Sequence, residues 1–168
     1  MIARRVWLAC TTTPTPRDIA EGALALALFA ALSALLGAAT GLLHYAPRPA
    51  DEVALLALRA LLIPALGEEF VFRAMLVPSR DEAPNALRPI ALSVVLFAAW
   101  HVVETLFLPG SAATFLRADF LALAALLGLL CAILRWRSGS IWTAVALHWI
   151  IVVAWQGWFG GPSFGIPN

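Results

Sequence analysis

Ionisable side chains stand in three short stretches of otherwise apolar sequence. The stretches are GEEFVFR at 67–73, with Glu68, Glu69 and Arg73; FAAWHVVE at 97–104, with Phe97, His101 and Glu104; and GSIWTAVALHW at 139–149, with His148. Ionisable groups inside a membrane helix are costly, so they usually face the interior of a helix bundle and mark a functional site. These side chains are therefore the candidates for chemistry.

A carboxylate and two imidazoles are sufficient for hydrolysis by an activated water molecule. A glutamate with a histidine can take a proton from a trapped water, while a second histidine donates a hydrogen bond to the developing oxyanion. Peptide hydrolysis requires these parts, and a glutamate suits water activation where no activated serine or cysteine is available. The residue types therefore favour a peptidase that works through a buried glutamate.

The two adjacent glutamates are predicted to have different roles. Residues four apart share a helix face, so Glu69 and Arg73 are placed to form an ion pair. Glu68 lies about 100° further around the helix and can point at another helix. Pro64 removes a backbone donor one turn earlier, and a kink there would admit water.

Five apolar spans must position these groups, since about 20 apolar residues cross a bilayer. The spans are 19–43, 52–77, 90–108, 120–134 and 141–159, in a chain of 168 residues that is 62% hydrophobic and 12% charged. We expect an all-α fold, a polytopic transmembrane bundle of about five helices. It would form a single membrane domain, 1–168, with a motif-bearing core at 52–159.

The three polar stretches are predicted to lie at one depth in the membrane. Glu68 is ten residues before Pro78, His101 is twelve after Pro89 and His148 is nine after Gly139. At about 1.5 Å per helical residue these offsets correspond to about 15, 18 and 14 Å from the same membrane face. We therefore expect one shared site.

Arginines predict the orientation, because short loops rich in them stay in the cytoplasm. Seven fall on one side, Arg4, Arg5, Arg17, Arg80, Arg88, Arg135 and Arg137, against Arg48 and Arg117 on the other. This distribution predicts a cytoplasmic amino terminus and an external carboxy terminus. The sequence has no polybasic patch that would indicate a nucleic-acid partner. Cys10 and Cys131 are too few for a disulfide framework, and no cleaved leader is expected.

At these residues the sequence resembles the CPBP family, also called Abi, of glutamic-type intramembrane proteases. The family's EExxxR matches Glu68, Glu69 and Arg73, its FxxxH matches Phe97 and His101, and its HxxxN or HxxxD matches only His148. Val152 stands where the family has asparagine or aspartate, so the oxyanion site departs from the pattern. The short chain and its WQGWFGG ending are similar to small bacterial members that accompany sorting tails, such as the JDVT-CTERM system.

The resemblance implies roles for the matched residues. Glu68 and His101 would activate water, His148 would stabilise the oxyanion, and Glu69 with Arg73 would hold the geometry. It also implies a multi-pass protein of the bacterial inner (cytoplasmic) membrane, in contact with lipid, whose substrate is the hydrophobic tail of another protein. No cofactor is expected.

Two other functions stay open on the sequence. Val152 favours a non-catalytic protein of the same fold that binds a peptide, as an immunity or scaffold protein would. A divalent metal is the second possibility, because Glu68, His101, Glu104 and His148 offer ligands, two of them three residues apart on one helix face. Glu104 could equally be a structural link, and His44 is interpreted as a packing residue at a helix end.

Overall fold

The computed structural model describes residues 2–108 and 110–162, and it is built from helices. They are α1 Ile2–Thr11, α2 Pro16–Thr40, α3 Ala50–Ala60, a π-helical segment of two parts, Leu61–Glu68 and Phe70–Met75, then α4 Leu87–Glu104, α5 Ala112–Phe115, α6 Ala118–Ser138 and α7 Trp142–Trp158. No strand occurs among these described residues. The predicted all-α class is confirmed.

Three of the helices are long and apolar enough to cross a membrane. They are α2, α4 and α6. The predicted span 52–77 is divided between α3 and the π-helical segment, and 141–159 corresponds to the 17-residue α7. The chain is thus a membrane protein with a helix-bundle fold.

Helix α1 was not predicted, because its apolar residues are too few to give a span. Tertiary contacts stabilise it instead. Ala9 is fully buried, its carbonyl accepts from the Ile141 N–H at 3.0 Å, and the Cys10 carbonyl accepts from the Trp142 indole at 2.9 Å. The amino terminus of α7 therefore satisfies carbonyls at the end of α1, which hydropathy alone does not reveal.

Capping residues set the start of α2 earlier than its hydropathy does. The Thr15 side chain accepts from the Asp18 N–H, and the Asp18 carboxylate accepts from the Thr15 N–H at 2.8 Å. This reciprocal capping box, with Pro16 in the first turn, begins the helix before the predicted position 19. Gly41 ends it with φ at 70°, a left-handed conformation that favours glycine.

The sequence predicted a kink at Pro64, and the structure has a wider, π-helical segment there. Pro64 cannot donate the usual backbone hydrogen bond, and the chain follows a π-helical path through it. Glu68 and Glu69 are both buried, at 9% and 0% exposure.

Helix α6 lies at the centre of the bundle, in contact with α2, α4 and α7. Small side chains on it, Ala124, Gly128 and Ala132, allow close approach and are all buried. Helix α7 also packs against α3 and the π-helical segment. The three motif-bearing elements thus surround one side of the same core.

The connector between α2 and α3 caps the far end of α7. The N–H groups of Ala46 and Arg48 donate to the carbonyls of Trp158 and Gly157 at 2.8 and 2.9 Å. The Arg48 Nε donates to the Gln156 carbonyl, also at 2.8 Å. These bonds satisfy carbonyls that a helix end leaves without partners, and so they fix that end of α7.

Glu82 joins α1 to the connector before α4, at the opposite end of the bundle. It accepts from the Ser79 N–H at 2.8 Å and from the Arg5 Nε at 3.3 Å. Partial burial acts to raise the pKa of Glu82, but these hydrogen bonds outweigh it and hold the pKa below its ordinary value. The charged carboxylate therefore links α1 to the connector before α4.

We predict opposite effects for two glycine-to-alanine changes on α2. A Cβ at Gly37 would collide with the Leu43 side chain, 2.9 Å from its Cβ, whereas a Cβ at Gly22 meets only Thr143 at 4.0 Å. Gly37→Ala should therefore cost about 1–3 kcal/mol through overpacking. Gly22→Ala should be neutral or stabilising by up to about 1 kcal/mol, because alanine favours helix.

Thermal unfolding in detergent measures both variants of α2. Leu43→Ala in the Gly37→Ala background should recover most of the loss, since it removes the side chain in the way. Equal melting temperatures for the two single variants would contradict this packing.

Candidate active site

A cavity of about 540 Å³ opens between α2, α3, the π-helical segment, α4, α6 and α7. Its wall is mainly apolar. The four predicted polar residues that line it are Glu68, His101, Glu104 and His148. The structure therefore brings the three candidate catalytic residues, from three separate elements, to one cavity.

Glu68 and His148 face each other across this cavity. The Glu68 Oε2 lies 3.9 Å from the His148 Nε2, with side-chain exposures of 10% and 2%. Within the described residues Oε2 has no hydrogen-bond partner. A buried carboxylate oxygen without a partner is costly. The two groups are not hydrogen-bonded to each other at this distance, but they are close enough to act on the same bound molecule.

Glu69 orients His148 and is itself fixed by Arg73. Its Oε1 lies 3.2 Å from the Arg73 Nη1 and 2.9 Å from the His148 Nδ1, and all three side chains are buried. A carboxylate accepts, so Nδ1 carries the proton, and Nε2 is the nitrogen directed at Glu68. The ion pair with Arg73 was predicted from spacing, but the contact with His148 was not.

Phe97 separates the two imidazoles and covers the guanidinium. It is fully buried, with its ring centroid 4.9 Å from that of His101 and 5.7 Å from that of His148. The Arg73 Cζ lies 4.1 Å from the same centroid, a cation–π contact. Phe97 therefore helps to position both His101 and His148.

Gly128 on α6 leaves space for the Phe97 and Arg73 side chains. Its role was not predicted from the sequence. A Cβ there would lie 3.1 Å from the Phe97 Cδ1 and 3.2 Å from the Arg73 Nη2. A glycine in the middle of an apolar helix is the available signal, since it usually has a packing reason.

His101 is held through its own helix. Its Nδ1 donates to the Phe97 carbonyl at 2.8 Å, so in the neutral ring Nε2 has the free lone pair. The ring also contacts Phe115 and Phe120, with centroid separations of 5.5 and 5.3 Å. The described hydrogen bond of His101 is thus to backbone and not to Glu68, although both line the cavity.

Two positions of α7 beyond His148, Val152 and Gln156, also line the cavity. Next to His101 on α4, the Trp100 side chain lies beside both Glu68 and Glu104. In the part of the chain that the structure describes, no three His, Cys, Asp or Glu side chains converge in a way that could hold a metal ion. The four ligands considered for a metal share the cavity without forming such a cluster.

The fold and site together define a membrane-embedded helix bundle with a carboxylate–imidazole centre. A protein-family model described as "Type II CAAX prenyl endopeptidase Rce1-like" matches residues 50–154, more than half of the chain. The chain belongs to this family of CAAX-type intramembrane proteases, which confirms the predicted CPBP membership. Neither the curated proteins nor the solved structures compared with it give a match.

We predict that Glu69→Gln destabilises the fold. Arg73 would be left buried without a counter-charge, which typically costs about 3–5 kcal/mol. Adding Arg73→Met to Glu69→Gln should return most of the stability, because no lone charge remains. The measurement is thermal unfolding in detergent.

Glu21→Gln is the matched control for the Glu69 variant. Glu21 pairs with Arg137 at 2.7 Å, but the Arg137 side chain is 38% exposed, and such pairs contribute little. A melting temperature for Glu69→Gln equal to that of Glu21→Gln would count against a structural role for the buried pair.

Proposed function

We propose that this chain is a glutamic-type intramembrane endopeptidase that cuts a peptide bond in or near the apolar tail of a membrane-bound substrate protein. The observation that carries the proposal is the buried, unpartnered Glu68 Oε2, 3.9 Å from the His148 Nε2. Family membership supports the protease class. Glu68, His101 and His148 are the proposed catalytic residues, with Glu69, Arg73, Phe97 and Glu104 in support.

The proposed reaction begins with water between the carboxylate and the imidazoles. Glu68, assisted by the free Nε2 of His101, accepts a proton as the water oxygen bonds to the carbonyl carbon of the substrate. His148 is protonated on both ring nitrogens before the attack and stays so, with Glu69 at Nδ1 as its counter-charge, and it donates from Nε2 to the resulting oxyanion. Collapse breaks the C–N bond, and the proton on Glu68 passes to the leaving amine.

The cavity wall supports an apolar substrate. Side chains of α2 and α6, among them Leu26, Phe29, Leu123 and Leu127, line it. About 540 Å³ is enough for a few residues of extended peptide, within the usual range of about 300–1,000 Å³ for ligand pockets. We propose the hydrophobic tail of another membrane protein as the substrate. The proposed reaction uses no metal, since Glu68 with His101 activates the water and His148 binds the oxyanion.

We also propose that the amino terminus faces the cytoplasm of a bacterial inner membrane. The arginine-rich segments gather at one end of the bundle, where Arg137 bonds to Glu21 at 2.7 Å and the Arg80 N–H donates to the Trp136 carbonyl at 2.8 Å. Arg48 and Arg117 belong to the other end, through Gln156 and Thr40. This asymmetry supports the orientation.

A peptide-binding protein without catalysis is the second candidate. Val152 favours it, since valine offers no donor to an oxyanion at a position on the cavity wall. Such a protein would keep the cavity and its affinity for an apolar tail but would release no cleaved product.

Glu68→Gln and His148→Ala are each predicted to abolish proteolysis. Loss of a general base or an oxyanion donor typically lowers a rate by about 10²–10⁴-fold. The measurement compares the new protein termini in membranes of cells that express the wild type and each variant. Termini that depend on Glu68 and fall beside apolar tails would identify the substrate.

Two controls separate chemistry from folding in that comparison. His44→Ala replaces a histidine that does not line the cavity, so its termini should match those of the wild type, as should those of membranes treated with EDTA. Identical termini for the wild type and Glu68→Gln, at equal protein levels, would refute the protease proposal and favour the binding alternative.

The orientation can be tested with terminal reporter fusions. Alkaline phosphatase folds to activity only outside the cytoplasm, so a fusion to the carboxy terminus should be active and one to the amino terminus inactive. A fluorescent protein that matures only in the cytoplasm should give the reverse. The opposite pattern would contradict the orientation predicted from the arginines.

A further inference from the structure

The cavity extends from the candidate catalytic residues toward one end of the bundle. On α4 its lining begins at His101, in the last turn, whereas on α6 the lining residues fall between 120 and 127, in the first half of the helix. On α7 the lining begins at His148 and continues to the carboxyl end. The Trp136 indole donates to the Ala83 carbonyl, which places the end of α6 beside the start of α4. The two helices thus run in opposite directions, and all these lining residues share one half of the bundle.

Beyond these residues the helices pack against one another and form a floor to the cavity. Phe97, Cys131 and Ala144 each stand four residues from the last lining residue of their helix, and all three are fully buried without lining the cavity. The Cys131 thiol donates to the Ala144 carbonyl at 3.6 Å, which joins α6 to α7. The Ser93 hydroxyl donates to the Phe72 carbonyl at 2.8 Å, which joins α4 to the π-helical segment. Close packing of this kind leaves no space for a polypeptide to pass.

The floor faces the arginine-rich end of the bundle, where Arg80 and Arg137 lie. A separate cavity at this end lies between α1 and the π-helical part Phe70–Met75. None of the three proposed catalytic residues borders it. Among the residues that the structure describes, the open space beside Glu68 therefore leads to the opposite end of the bundle and does not continue through the floor.

At the opposite end the cavity reaches the protein surface. Ile63 and Phe159 line it and are exposed, as is Arg59 near the end of α3. Leu42 and Leu43, in the connector after α2, also line it there. A mainly apolar wall with a few polar groups suits an apolar polypeptide, because it removes the side chains from water and still offers polar partners to the backbone.

We propose that the substrate polypeptide reaches Glu68 from the end of the bundle that carries Arg48 and Arg117, and that the arginine-rich end is closed to it. The inference rests on the proposed function and describes its substrate more closely. With the proposed orientation, the substrate is an apolar segment that continues into a part of its protein outside the cytoplasm. Because the floor stops the segment at the depth of Glu68, bonds nearer the arginine-rich end stay out of reach.

A cationic, membrane-impermeant methanethiosulfonate tests this route by labelling single cysteines. The parent is Cys10→Ser, in which only the fully buried Cys131 remains. Gln156→Cys adds a thiol on the cavity wall and Ala83→Cys one at the arginine-rich end, both at half-buried positions. The assay uses full-length protein in detergent and a fluorogenic peptide spanning the cleavage site defined by the Glu68-dependent termini. Labelling of Gln156→Cys should remove most of the activity, because the label blocks the cavity, and labelling of Ala83→Cys or the parent should leave it unchanged.

Protection by the peptide separates access from any effect of the label on folding. In the Glu68→Gln background, which does not consume the peptide, an excess of it should slow the labelling of Gln156→Cys and not that of Ala83→Cys. Leu108→Cys, at a second half-buried position on the cavity wall, should behave like Gln156→Cys. In membranes, Gln156→Cys should be labelled from the side that the carboxy-terminal fusion reports, and Ala83→Cys from the other side.

Two kinds of result would overturn the proposed route. One is a loss of activity on labelling of Ala83→Cys, and the other is that the thiols of Gln156→Cys and Leu108→Cys fail to react or are not protected by the peptide. Either result, alongside an inactive Glu68→Gln, would leave the protease proposal intact. Full activity in Glu68→Gln would instead reject the proposed function itself, so the two failures are distinguishable.

Discussion

The site depends on one buried chain of charges, from Arg73 through Glu69 to His148. None of these side chains has appreciable access to solvent, so each needs the next one. Arg73 lies 3.2 Å from the Glu69 carboxylate, and Glu69 fixes the ring of His148 on a different helix, at 2.9 Å. These contacts therefore fix the position of α7 against the π-helical segment. They also fix the 3.9 Å distance from the His148 Nε2 to the Glu68 Oε2.

Two neighbouring glutamates have different surroundings on one helical segment. Both are buried, at 9% and 0% exposure. The Oε1 of Glu69 contacts Arg73 and His148, at 3.2 and 2.9 Å. Glu68 lies 3.9 Å from His148, beyond hydrogen-bond distance, and it is the one of the two that lines the cavity. Position at the cavity rather than burial therefore separates the two carboxylates.

Much of this arrangement could be predicted from the sequence. The common depth of Glu68, His101 and His148 and the spacing of Glu69 and Arg73 follow from helical rise and periodicity alone. The bond between Glu69 and His148 could not be predicted, because it depends on how two helices are rotated about their axes. Helix α1 escaped prediction for a related reason, since it is stabilised by the amino terminus of α7 rather than by its own apolar residues.

The family match covers 50–154 and so includes Glu68, His101 and His148, but it leaves out α2. Yet α2 contributes Leu26, Phe29 and Ser33 to the cavity wall. Its contacts are chiefly with α6 and α7 rather than with the π-helical segment that bears Glu68. Changes on α2 can therefore reshape the space for an apolar tail without moving the carboxylate and the imidazoles. The wall that α2 contributes and the carboxylate–imidazole centre are thus carried by different helices.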